Sequence, residues 1–145
     1  MDAFLAVDES LFRWINDGWA NPVLDVVFPF ITELKYTVFP IALALLAMMV
    51  FSKRKGVVAF VLLALVIVCA DQLSSFVIKP LVGRIRPCTA LEHVRLLVGC
   101  GGGKSFPSSH AVNNFAAAML LSRFYPKAAP YLFGFATLVA LSRPY

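Results

Sequence analysis

The chain is organised around residues 79–110, which open with Lys79-Pro80-Leu81-Val82-Gly83-Arg84-Ile85-Arg86-Pro87 and close with Phe106-Pro107-Ser108-Ser109-His110. This stretch is a loop rich in proline and glycine that lies between two apolar segments. Because its basic residues far outnumber its acids, the sequence predicts that the loop binds an anion, and phosphate suits arginine and lysine side chains well. The basic residues are Lys79, Arg84, Arg86, Arg95 and Lys104, against the single acid Glu92.

The composition indicates a membrane protein. Of the 145 residues, 60% are hydrophobic and 14% are charged, and the mean hydropathy is +0.81. A soluble domain of this size has too few polar side chains to cover so much apolar surface. The net charge of +5 comes mainly from short loops between apolar runs. A basic face interleaved with aromatic residues is missing, so no binding of nucleic acid is expected.

Long apolar runs predict an all-α fold, a polytopic transmembrane helical bundle that forms a single domain over residues 1–145. An apolar run of about 20 residues can cross the hydrocarbon core of a membrane as a helix. The segment Ser52-Lys53-Arg54-Lys55-Gly56 separates the first two runs, and the second run becomes polar towards Lys79. The predicted helices comprise residues 36–51, 57–78, 108–124 and 128–141.

The N-terminal part of the chain is predicted to lie in the membrane interface. Residues 3–19 place apolar and polar side chains at helical spacing, with Trp14 and Trp19 at headgroup depth. Asn21-Pro22 ends this helix. Residues 23–34 are apolar but short and carry two acids. They favour a partial or kinked helix, and whether they cross the membrane is left open.

The distribution of basic residues predicts the topology. Loops 52–56 and 122–130 are basic and lie on one side if the spans alternate, which is the cytoplasm by the positive-inside rule. Loop 79–107 and Ser142-Arg143 then lie on the external or periplasmic side. The N-terminus lacks the basic region of a signal peptide, so internal spans are expected to direct entry into the cell (inner) membrane.

Lys79 and Arg86 are the first candidate phosphate ligands. Pro80, Gly83 and Pro87 bend and stiffen the backbone around them. An arginine donates a bidentate pair of charge-assisted hydrogen bonds to phosphate, and a lysine adds a compact charge. The alternative is that both side chains reach lipid headgroups from a helix end.

His110 is the candidate proton donor. It follows Pro107-Ser108-Ser109 at the predicted start of a helix, with Ser108 or Ser109 as N-cap. Free backbone N–H groups and the helix dipole favour an anion there. Cleavage of a phosphate ester needs a donor that titrates near neutral pH beside the anion. A structural role for this histidine is the alternative.

These motifs resemble the type 2 phosphatidic acid phosphatase superfamily of integral membrane lipid phosphatases. The pattern is Lys79, six residues, and Arg86-Pro87, followed by Pro107-Ser108-Ser109-His110 and, after one further hairpin of helices, Ser142-Arg143. The resemblance covers roughly Asp71 to the C-terminus. Ser109 stands where glycine is commoner in the family, but its amide can still donate.

The resemblance implies roles for these residues. Lys79, Arg86 and Arg143 bind phosphate, the serine and the backbone amides of the second motif (Ser108 and Ser109) hold it, and His110 is the general acid for the leaving oxygen.

The third motif of that family continues to a histidine that attacks phosphorus and to an aspartate that orients it. The other histidine of this chain is His93, inside the loop, and nothing in the resemblance makes it the nucleophile. We therefore expect residues 1–145 to be a truncated form or fragment that binds phosphate better than it hydrolyses it.

Other polar residues near the loop are given structural roles. Asp71 lies on the same helical face as Lys79 and is expected to neutralise it or to bond a neighbouring helix. Cys88 and Cys100 pair if the loop faces an oxidising compartment, and two free thiols are the alternative. The glycine-rich segment 99–104 lacks the Walker pattern and is interpreted as a flexible lid or connector.

The predicted function is dephosphorylation of a membrane lipid phosphate or polyprenyl diphosphate at the outer membrane face, through a phosphohistidine in the complete protein. Its partners are the phosphorylated lipid substrate and membrane lipids. No cofactor or metal is expected, because basic residues neutralise the phosphate charge and no cluster has ligand spacing. The alternatives are a carrier or flippase that binds phosphorylated lipid without cleaving it, and a haloperoxidase that holds vanadate.

Overall fold

Helices, and one long irregular stretch before residue 109, make up the residues described by the computed structural model, 2–100 and 102–145. These residues contain no strand, so the predicted all-α fold is confirmed. Met1 of the predicted N-terminus and Gly101 of the glycine-rich segment lie outside them. The helices are α1 (Asp2–Asn16), α2 (Pro22–Thr32), α3 (Leu34–Gln72), a π-helical segment (Leu73–Ile78), α4 (Lys79–Val82), α5 (Pro87–Ala90), α6 (Ser109–Phe124), a 3₁₀ turn (Pro126–Ala128) and α7 (Ala129–Leu141).

Asn21 separates the two N-terminal helices and caps the second. Its side-chain oxygen accepts hydrogen bonds from the amides of Val23 (3.1 Å) and Leu24 (3.0 Å), and Pro22 occupies the first helical position. α1 ends at Asn16, three residues before the predicted end. With 11 residues, α2 is about 16 Å long, well short of the hydrocarbon thickness. This length fits the favoured partial helix, and whether the segment crosses the membrane stays open.

α3 is a hairpin of two helical arms, residues 34–52 and 54–72. Lys53 has φ 48° and ψ −129°, outside the helical region. A Cβ on Gly56 would lie 2.1 Å from the carbonyl oxygen of Met48, although eight residues of straight helix span about 12 Å. The chain therefore reverses at Lys53. The predicted loop over 52–56 is wrong in extent, because glycine lets the two backbones approach directly.

The helices alternate in direction, so the two basic connections lie at one end of the bundle. The Lys55 ammonium lies 4.8 Å from the centre of the Tyr125 ring, which puts the α3 turn beside the α6–α7 connection. At the other end, the Asp71 carboxylate accepts a hydrogen bond from the side-chain amide of Asn113 (3.3 Å). Loop 79–107 belongs to this second end.

Several small residues are buried between the helices. Ala59, Ala118 and Ala136 are buried, and small side chains let helix backbones pack closely. Large apolar side chains point outward instead, among them Phe51, which is 83% exposed, and Phe39, which is 75% exposed. An outer surface of this kind suits hydrocarbon better than water.

One helical stretch of the described residues, Lys35–Ala90, is long and apolar enough to cross a membrane, judged by length and composition. Because the chain reverses at Lys53, this stretch contains two arms of about 19 residues, each about 28 Å long. α6 has 16 residues and α7 has 13, so both are shorter than the hydrocarbon core of about 30 Å. The predicted crossing by four helices therefore stays a prediction.

Candidate active site

All the residues predicted to bind or act on phosphate line one cleft, at the end of the bundle that carries loop 79–107. The cleft has a volume of about 580 Å³. The predicted residues come from three segments far apart in the sequence: the start of the loop, the start of α6 and the residues after α7. The predicted residues are Lys79, Arg86, Ser108, Ser109, His110 and Arg143.

Lys79 is placed by the π-helical segment before it. Its amide N–H bonds the carbonyl of Ser74, five residues back. This wider turn changes the direction of the side chains that follow, and such turns are frequent at functional sites. The Lys79 ammonium donates a hydrogen bond of 2.6 Å to the hydroxyl of Ser109. The first and second motifs are therefore in direct contact.

Arg86 has an unpaired donor inside the protein. Gly83, with φ 65° in the left-handed region, ends α4 and redirects the chain towards it. The Nε atom of Arg86 is buried and has no hydrogen-bond partner among the described residues. A buried guanidinium N–H without an acceptor is costly, and an anion bound in the cleft would supply one.

The start of α6 is built as predicted. Ser108 caps the helix, and its side-chain oxygen accepts a hydrogen bond of 3.4 Å from the amide of Ala111. Ser109 is the first helical residue, so the first amides of α6 lie beside the cleft. Their unshared N–H groups and the helix dipole favour a negative charge there.

His110 lies at the loop end of α6, ahead of the apolar residues 115–121. His110 keeps an exposed surface, but partial burial of its ring, and then the charges of Arg143, Lys79 and Arg86, lower its pKa. Without an anion in the cleft, these effects favour the neutral imidazole. A phosphate dianion offsets the three positive charges and so raises the pKa again.

Arg143 brings the third motif to the same place. Burial, and then the charge of Arg86, lower the pKa of its guanidinium, while Glu33 raises it. Both arginines remain protonated at any ordinary pH. Neither forms an ion pair with a carboxylate in the described part of the chain. Two like charges held together in this way favour an anion between them.

Two further arginines line the cleft, but acids neutralise them. Arg84 bonds one oxygen of Asp8 through Nε (3.1 Å) and Nη2 (2.5 Å). It also donates to the hydroxyl of Ser105 (2.9 Å). Arg95 pairs with Asp25. The loop therefore contains some basic residues that are paired with an acid and others that are not. Its sequence does not reveal which are which.

The apolar wall of the cleft was not predicted. Leu11, Phe12 and Ile15 of α1, together with Phe28 of α2, line the same cleft as the cations. The sequence signal was the helical spacing of apolar residues in α1, which we assigned to the membrane interface. The cleft is therefore amphipathic, because cationic and apolar side chains both line it.

The remaining predicted residues lie nearby. Asp71 does not line the cleft, and its bond to Asn113 corresponds to the second of its two predicted structural roles. Cys88 and Cys100 line the cleft and are joined by a disulfide. His93 has φ 56°, is exposed, and does not line the cleft.

Comparisons with known proteins agree with the motifs. Residues 59–145 match the sequence model of the PAP2 superfamily. The chain is 32% identical to a protein of Porphyromonas gingivalis named lipid A 4'-phosphatase, over 132 residues that cover 86% of this chain and 55% of the relative. It is 40% identical to a lipid A 4'-phosphatase of Bacteroides thetaiotaomicron, over 72 residues that cover 46% of this chain and 32% of that relative. The chain thus spans about half the length, or less, of these curated relatives. No solved structure matches it with comparable significance.

Proposed function

Since the chain belongs to the PAP2 superfamily, we propose that it contains the phosphate-binding part of a membrane phosphatase that removes phosphate from a phosphorylated lipid. Both named relatives are lipid A 4'-phosphatases, which supports a lipid phosphate as substrate class. The membrane setting is supported by the apolar stretch Lys35–Ala90.

The observation that carries the proposal is the composition of the cleft. Lys79, Arg86 and Arg143 bring three positive charges, which have no paired carboxylate among the described residues, to a cleft that Leu11 and Phe12 also line. A substrate with a phosphate at one end and hydrocarbon at the other matches both kinds of lining. A small hydrophilic phosphate ester leaves the apolar residues exposed to water.

The proposed reaction places phosphate between the two arginines, Lys79 and the first amides of α6. A nucleophile attacks phosphorus opposite the ester oxygen, the bond from phosphorus to that oxygen breaks, and His110 donates a proton to the leaving oxygen. The resemblance implies that the nucleophile is a histidine after Arg143. The intermediate is then a phosphohistidine, which water hydrolyses to release phosphate.

The charge of the cleft favours a single phosphate group. Asp8 neutralises Arg84 and Asp25 neutralises Arg95, so the cations available to an anion are Lys79, Arg86 and Arg143. A phosphate monoester carries a charge of about −2 near pH 7, which these cations neutralise in full. They also supply the charge stabilisation that a divalent cation provides in other phosphatases. We therefore propose a metal-independent reaction on a lipid phosphomonoester, with a diphosphate as the less favoured substrate.

The first prediction separates binding from turnover. A polypeptide of residues 1–145 is expected to bind orthovanadate but to release little phosphate from a lipid phosphate in detergent. Its two histidines are His93 and His110, and neither is the proposed nucleophile. A polypeptide that also carries the implied histidine after Arg143 is expected to turn over faster by orders of magnitude.

Two results would count against this scheme. Robust phosphate release by residues 1–145, abolished by His110→Ala, would mean that the nucleophile lies within them. Binding of phosphorylated lipid without turnover by the longer polypeptide would favour a carrier or flippase.

The second prediction concerns sidedness. We expect the cleft to face the periplasm or cell exterior and the turn at Lys53 to face the cytoplasm, because basic residues in short connections stay inside. In a Cys69→Ser background, an impermeant maleimide added to intact cells should label Lys104→Cys and not Arg54→Cys. The opposite labelling pattern would reverse the assignment.

A further inference from the structure

We infer that α1 and α2 position Arg143 for phosphate through an N-terminal anchor. This name denotes the hydrogen bonds from these helices to residues 142–145, and the inference rests on the phosphate-binding role proposed for Arg143. The family match begins at residue 59, so the helices that form the anchor lie outside the matched residues. The anchoring side chains are Asn16, Asp25 and Thr32, and the anchored residues are Ser142, Pro144 and Tyr145.

The first contact fixes the residue before Arg143. The hydroxyl oxygens of Thr32 and Ser142 lie 2.5 Å apart, and both residues are buried. The Ser142 hydroxyl also donates to the carbonyl of Val139 (2.8 Å), so Thr32 is the donor in the bond between the two hydroxyls. The last turn of α7 is thereby tied to the end of α2.

The second contact fixes the residue two positions after Arg143. Tyr145 is only 5% exposed. Its hydroxyl donates a hydrogen bond of 2.5 Å to the Asp25 carboxylate and accepts one of 3.1 Å from the amide of Asn21. The ring packs edge-on against Phe28, with centroids 4.7 Å apart. Hydrogen bonds from Arg95 and then Tyr145 lower the pKa of Asp25, so Tyr145 bonds an ionised acid.

The third contact comes from Asn16, which is 3% exposed. Its amide nitrogen donates to the carbonyls of Pro144 (3.2 Å), Tyr145 (2.7 Å) and Arg95 (3.0 Å). Its oxygen accepts from the amide of Arg95 (3.0 Å). One buried side chain therefore joins α1, loop 79–107 and the segment that carries Arg143.

The anchor matters because it holds Arg143 near Arg86, although the two positive charges repel each other. Its guanidinium lies close enough to Arg86 for that charge to lower the pKa of Arg143. Like charges move apart unless the backbone is fixed. Here the residue before Arg143 and the two residues after it are bonded to α1 and α2. The guanidinium is thereby preorganised for an anion, and preorganisation lowers the entropic cost of binding.

The inference makes Tyr145 a positioning residue that acts through Arg143. Tyr145→Phe keeps the ring and removes the bond to Asp25. We expect it to weaken binding of orthovanadate to the purified chain in detergent about fivefold, because the loss of one hydrogen bond usually costs about 1 kcal/mol. The matched control is Tyr125→Phe, which removes the same hydroxyl near the opposite end of the bundle, beside Lys55. This control should leave binding unchanged.

A double-mutant cycle separates positioning from general stability. If Tyr145 acts through Arg143, Tyr145→Phe should have no further effect on orthovanadate binding in an Arg143→Ala background. An equal loss in both backgrounds, or no loss with intact Arg143, overturns the inference. Thr32→Val, which removes the bond to Ser142 with little change in volume, provides a second and independent cycle.

The cycle also distinguishes this inference from the proposed function. If Arg143→Ala weakens binding but Tyr145→Phe and Thr32→Val do not, the phosphate site stands and the anchor fails. If Arg143→Ala itself has no effect, the proposed role of Arg143 and the anchor fail together. Melting temperatures of all variants, measured without orthovanadate, identify any loss caused by unfolding.

Discussion

Replacing His110 with alanine, in a polypeptide that turns over lipid phosphate, is expected to slow turnover about 10²- to 10⁴-fold, the usual contribution of a general acid. Binding of orthovanadate should change much less, because Lys79, Arg86 and Arg143 supply most of the positive charge that lines the cleft. The loss should be large for alkyl phosphates, whose leaving oxygen needs a proton. It should be small for p-nitrophenyl phosphate, whose leaving group needs none.

The pH profile provides an independent check on this role. A general acid must be protonated, so turnover of alkyl phosphates should fall as the pH rises through the pKa of His110 in the substrate complex. This alkaline limb should be absent in His110→Ala. The matched control is His93→Ala, which changes a histidine that is also exposed but lies outside the cleft. Equal losses for both substrates, or an unchanged alkaline limb, would mean that His110 does not donate the proton.

The gathering of three distant segments at one end of the bundle could be predicted from the sequence. Apolar runs gave the helices, and alternation of their direction sends the start of the loop, the start of α6 and the end of α7 to the same end. Contact between Lys79 and Ser109 follows from this topology. The roles of these residues in binding phosphate stay predictions.

Three features could not be predicted, because each depends on a partner distant in sequence. They are the contacts of Asn16, the contacts of Asp25, and the part of the cleft lined by the apolar residues of α1. Asn16 and Asp25 looked like polar residues of an interfacial or partial helix, and only the folded chain pairs them with Arg95 and Tyr145. Periodicity shows that a helix has an apolar face but not what that face covers. The apolar residues of α1 therefore pointed to a membrane surface, whereas several of them line the cleft.

The reversal at Lys53 was missed for a related reason. A basic segment that ends in glycine predicts a loop, yet the structure keeps both flanks helical and turns at one residue. The contact that permits this turn joins Gly56 to the carbonyl of Met48. Such an approach of two backbones leaves no periodic signal in the sequence.

Removing either unpaired arginine is expected to weaken phosphate binding strongly. Arg86→Ala and Arg143→Ala should each raise the dissociation constant of orthovanadate about 10- to 150-fold, which corresponds to about 1.5–3 kcal/mol for a hydrogen bond to a charged group. Arg86 contributes a buried Nε that has no other acceptor among the described residues. Titration calorimetry on the purified chain in detergent measures both values.

The matched control is Arg54→Ala, which removes the same charge from the turn of α3 at the opposite end of the bundle. It should leave the dissociation constant unchanged, because a charge more than a Debye length away is largely screened at physiological salt. Lysine at position 86 or 143 should restore only part of the affinity, since an ammonium keeps the charge but lacks the bidentate geometry of a guanidinium. Equal weakening by Arg54→Ala would show that the arginines act through net charge alone. If neither Arg86→Ala nor Arg143→Ala weakens binding, the proposal that phosphate binds in this cleft is wrong.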